Sequence, residues 1–110
     1  MQTAIVVYQA TSLTIETNET DLQLCRMNDN PVSLASGQHS YSMQPGVYRI
    51  VSGQNVYVTG NTSLFESHAT TNKTNIPPLP DKATQSFPPL DQTAWNNFFA
   101  VPDAKGLSAP

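Results

Sequence analysis

The chain predicts a mainly β domain, a small antiparallel sandwich of seven to eight short strands. Three observations carry this. Apolar-alternating runs of five to eight residues are too short for helices and suit strands. Turn pairs punctuate them at Ser36-Gly37, Pro45-Gly46, Ser52-Gly53 and Gly60-Asn61. Gly permits positive φ and Pro pre-sets φ, so each pair has a mechanical reason to turn. No helical periodicity of useful length occurs before residue 90.

The elements follow in order. Residues 3–10 (TAIVVYQA) hold an unbroken β-branched run, which predicts a strand covered on both faces. Residues 12–17 alternate, with Leu13 and Ile15 inward and Thr14 and Glu16 outward. Residues 22–27 place Leu22 and Leu24 on one face, and Asn28-Asp29-Asn30-Pro31 turns the chain. Short strands follow at 32–35 and 39–43, the second with Tyr41 and Met43 on the same side. Residues 47–51, 56–59 and an edge strand at 63–66 complete the set. The segment 41–51 reads as a hairpin about Gln44-Pro45-Gly46-Val47. Pro at i+1 and Gly at i+2 fit a type II turn, whose twist matches a hairpin poorly and calls for a longer loop or a bulge.

The composition shifts near residue 69, so residues 1–68 are expected to form the sandwich and 69–110 an extension. Seven of the nine prolines lie from Pro77 onward. IPPLP and FPPL favour polyproline II and cannot join a sheet interior. Asp91 to Ala100 reads as one short helix, capped by Asp91, with Trp95, Phe98 and Phe99 on one face. Val101-Pro102 ends it. A helix this short needs a surface to lie on. That surface is either its own sandwich or a partner, with Pro77 and Pro80 of the PxxP stretch beside the aromatic face.

Charge excludes some functions. Lys and Arg total 5, Asp and Glu 8, and charged residues are 12% of the chain, about half the ~25% of an average domain. Arg26, Arg49, Lys73, Lys82 and Lys105 are scattered, so no basic stripe addresses nucleic acid or an anionic membrane. The apolar run Ala4–Tyr8 is too short to span a bilayer, and membrane insertion is not expected. It also lacks a signal-peptide pattern, so the chain is expected to be cytoplasmic or to start after a removed signal. Thr, Ser, Asn and Gln make up 39 of 110 residues. That composition is associated with secreted, envelope or virion β-proteins.

Candidate chemistry is sparse. Cys25 with His39 or His68 is a conceivable nucleophile and base, but Cys25 sits in a strand-like run where a buried thiol is the commoner role. Those three residues lack metal-ligand spacing, and no glycine-rich phosphate loop occurs, so no metal and no cofactor is expected. Glu16, Glu19 and Asp21 flank one turn and read as a solvated cluster rather than paired catalytic acids. The sequons at Asn18, Asn61 and Asn72 are near the number this composition gives by chance. Tyr41, Tyr48 and Tyr57 fall in three strands read as neighbours. On one exposed face they would stack on a sugar; alternatively Tyr41 and Tyr48 fill the core with their hydroxyls at the rim.

Residues 34–58, with Gln44-Pro45-Gly46-Val47-Tyr48-Arg49-Ile50, resemble the Pro-Gly-x-Tyr turn of small PEGA-like β-modules of bacterial envelope and secreted proteins, without their Pro-Glu-Gly-Ala sequence. The resemblance implies a bacterial β-module and no catalytic residue. The expected function is a non-enzymatic structural or protein-interaction module of a bacterial envelope, secreted or virion assembly, with a protein partner or self-association. The alternative is a carbohydrate-binding module using the tyrosines.

Overall fold

The computed structural model describes residues 1–70, 76–85 and 90–100. Eight strands form two antiparallel sheets: β1 (Gln2–Val7), β2 (Thr11–Thr17), β3 (Leu22–Arg26), β4 (Val32–Leu34), β5 (Gly37–Met43), β6 (Gly46–Val51), β7 (Tyr57–Thr59) and β8 (Phe65–Thr70). The five-stranded sheet runs β4-β3-β6-β1-β8 and the three-stranded sheet β5-β2-β7. Only β3 and β4 follow each other within one sheet; every other connection crosses between the sheets. Residues 71–75, Phe87, Pro88, Pro89 and the Val101-Pro102 stop lie outside the described residues.

β1 is buried along its whole length, and strand alternation explains how. Ile5 and Val7 point between the sheets, into a core with Leu13, Ile15, Tyr48, Ile50 and Phe65. Ala4 and Val6 point the other way, into a second cluster with Val47, Ala83, Trp95 and Phe99. The continuous apolar run therefore serves two layers at once.

The second layer comes from the C-terminal part of the chain. A 3-10 turn (Asp81–Gln85) and helix α1 (Gln92–Phe99) lie on the outer face of the five-stranded sheet. Asp91 caps α1 by accepting a 2.7 Å bond from the Ala94 amide. Burying Trp95 and Phe99 completely stabilises this seat by roughly 1.5–3 kcal/mol each.

Two expectations are corrected. The 41–51 segment is not a hairpin: β5 pairs with β2, whereas β6 pairs with β1 and β3. Pro45-Gly46 is a corner between sheets, held by Arg26, whose Nη2 donates to the Pro45 carbonyl at 2.9 Å. A type II geometry is absent too, since Gly46 has φ 157 rather than the ~80° of that turn. The last strand is Phe65–Thr70 rather than 63–66, because pairing with β1 runs from Val7↔Phe65 to Gln2↔Thr70.

Candidate functional site

The structure keeps apart the residues that only folding could have brought together. Cys25 stands on β3 and His68 on β8, with β6 and β1 between them, about 14 Å apart at ordinary strand spacing. His39 lies in the other sheet, where its Nε2 meets the Ser36 carbonyl at 2.8 Å. Glu19 bridges loops: its carboxylate accepts from the Gly53 amide at 3.1 and 3.0 Å and from the Gln54 amide at 3.0 Å. Among the described residues, no group of three or more His, Cys, Asp or Glu side chains could hold a metal ion.

The three tyrosines do not form a row. Tyr48 is buried in the core on the five-stranded sheet, and its hydroxyl donates to the Gln44 carbonyl at 2.6 Å. Tyr41 is half-buried against the same core, and its hydroxyl accepts from the Ala35 amide at 3.1 Å. Tyr57 alone is open, at 59% exposure. β5 and β7 are separated by β2, so the three strands are not neighbours and a shared sugar-stacking face of Tyr41, Tyr48 and Tyr57 is not built.

The aromatic tail faces inward. Trp95 and Phe99 are fully buried, and the Trp95 Nε1 donates to the Pro77 carbonyl at 2.6 Å. Pro77 is itself buried, so this PxxP stretch does not present both its prolines to a partner. Pro80 is half-buried and accepts from the Ala83 amide at 3.0 Å. Phe98 lies half-buried at the rim, with the Arg49 guanidinium 4.5 Å from its ring centre.

An open groove of about 670 Å³ lies between β8 and residues 78–82. Tyr8 donates its hydroxyl to Glu66 Oε2, and the other Glu66 oxygen is 3.7 Å from His68 Nε2. The Lys82 ammonium sits 4.3 Å from the centre of the Tyr8 ring. Burial, and then the bond to Glu66, push the Tyr8 hydroxyl well above its ordinary pKa. These contacts tie the edge of the sheet to the 78–82 stretch.

Among the described residues, the outer face of the three-stranded sheet is exposed. It pairs Ser12 with Ser42, Thr14 with Ser40 and Glu16 with Gln38, and on the other side Thr14 with Thr59 and Glu16 with Tyr57. It is a hydroxyl and amide surface with one carboxylate. Its β5 margin is unusual among the four sheet edges. β4 and β7 have only three residues each, and β8 carries Glu66 and His68 beside the groove. β5 has seven residues, GQHSYSM, with no Lys, Arg, Asp, Glu or Pro. Its pairing with β2 runs unbroken from Thr11↔Met43 to Thr17↔Gly37, without a bulge. The usual guards of an open edge are short length, charge, proline and bulges. β5 has none of them, and residues 37–40 and Ser42 are exposed.

Sequence reasoning passed over this edge because partner order is not local. Its signal lay inside the stretch 30–48, which holds no Lys, Arg, Asp or Glu. No family model, curated protein or solved structure matches the chain.

Proposed function

We propose that this chain is a non-enzymatic protein-interaction module that engages its partner by strand addition at β5. The observation that carries the reading is the seven-residue uncharged edge, whose outward amides and carbonyls have a ready use in pairing with another strand. The chain's own C-terminal segment covers the outer face of the five-stranded sheet, so partner contact falls to the other sheet. Low charge, abundant Ser, Thr, Asn and Gln, and the PEGA-like turn region support a place in a bacterial envelope, secreted or virion assembly. Among the described residues no helix is long and apolar enough to cross a membrane.

The test is amide NMR of the full chain titrated with a synthetic peptide of residues 36–44. Strand addition predicts shifts confined to β5 and its immediate neighbours. Shifts only at the groove beside β8, or none anywhere, would reject it. Carbohydrate binding is the second reading, reduced to Tyr57, which stands exposed beside Glu16 on the hydroxyl face. Chemical-shift changes at Tyr57 on adding oligosaccharides, without effect on β5, would favour it.

A further inference from the structure

Resting on the reading of β5 as an interaction edge, we infer that its partner is a second copy of this chain, joined strand to strand about a two-fold axis. Two antiparallel β5 edges overlap along their full length only when Ser40 faces Ser40 of the other copy. That register sets Gln38 against Ser42 and His39 against Tyr41, and it joins the two three-stranded sheets into one of six strands. A two-fold contact must be complementary to itself. Each copy carries a net charge of −3, so close approach of two copies favours a margin free of acidic side chains. β5 is such a margin, and no pair in this register sets like formal charges against each other at neutral pH. The outer-face residues Gln38, Ser40 and Ser42 are uncharged and exposed, so they add no desolvated charge to the joint. β8, the other long edge, has Glu66 and is flanked by the 78–82 stretch, so it does not offer the same self-match.

The experiment is sedimentation velocity of the full chain over a wide concentration range, on wild type, S40K and S40E. Ser40 is exposed, and among the described residues its side chain makes a 3.5 Å hydrogen bond to the Thr14 hydroxyl, so both variants are compatible with the fold; circular dichroism checks this. The wild type is expected to dimerise. Each variant alone should weaken dimerisation roughly fivefold or more, because two like charges face each other at the axis. Mixing S40K with S40E should restore association, since opposite charges then meet. A wild type that stays monomeric throughout overturns the proposal. So does dimerisation of S40K and S40E alone at wild-type strength, or a mixture no tighter than either variant alone. A monomer whose β5 amides still shift with the 36–44 peptide would retain the interaction edge and reject the second copy. A monomer indifferent to that peptide would reject both.

Discussion

The indole of Trp95 donates a 2.6 Å hydrogen bond to the carbonyl of Pro77, with both residues buried on the outer face of the five-stranded sheet. One bond thus fixes the helix to the extended stretch that precedes it. W95F keeps most of the apolar volume but leaves the carbonyl unpaired, and should lower stability by about 1–3 kcal/mol. W95A adds a cavity and should cost about 3–5 kcal/mol. Urea denaturation followed by circular dichroism measures both.

Gln2 makes a second tie. It is fully buried, and its Nε2 donates to the Phe99 carbonyl at 3.0 Å. Gln2→Glu replaces that donor with an anion facing a carbonyl oxygen. It should cost about 3–5 kcal/mol at neutral pH. Gln2→Met should cost far less, because it also removes the buried, unpartnered Oε1. Chemical denaturation midpoints of the two variants give the comparison.

Gly60 occupies a place where a side chain has no room. An added Cβ would lie 2.6 Å from Leu13 Cδ2, 3.3 Å from Phe65 Cε1 and 3.4 Å from the Ser12 carbonyl oxygen. Leu13 is fully buried and cannot swing into solvent. G60A should therefore destabilise by about 1–3 kcal/mol, read from the urea midpoint.

Alkaline pH tests the Tyr8–Glu66 contact. The folded chain raises the Tyr8 pKa above its ordinary value of 10.0, so the folded state holds the phenolic proton more firmly than the unfolded state. The associated stability is present in full below that ordinary value and is lost as pH rises from there through the folded pKa. Between about pH 9 and about pH 11 the wild type should lose stability more steeply than Y8F. Equal slopes in urea titrations at the two pH values would contradict the contact.

What could be read directly from the chain was what depends on neighbouring residues. The run Ala4–Val7 announced a strand covered on both faces, and Leu13 and Ile15 announced which face of β2 points inward. Asp91 marked the start of α1 because a cap needs only a side chain and an amide three residues on. Strand order was not legible in the same way. Pro45-Gly46 turns the chain whether the next strand returns to the same sheet or crosses to the other. The tyrosine row failed for that reason. The end of β8 was also hidden, since Glu66, Ser67 and His68 lack the apolar alternation of a half-buried strand, and pairing with β1 alone extends it. The β5 edge is the sharpest case. Its neutrality is written in GQHSYSM, but only the sheet order places it at a margin.

The fluorescence of Trp95 tests the central arrangement most directly, because it is the only tryptophan in the chain. Its ring is fully shielded on the sheet that carries Ala4, Val6 and Val47. The native protein should show blue-shifted emission that iodide fails to quench, and both properties should vanish together with β-sheet circular dichroism on unfolding. Red-shifted, freely quenched emission from a chain whose sheet signal is intact would mean that the aromatic helix does not cover the five-stranded sheet. The inference that partner contact falls to the opposite sheet would then lose its basis.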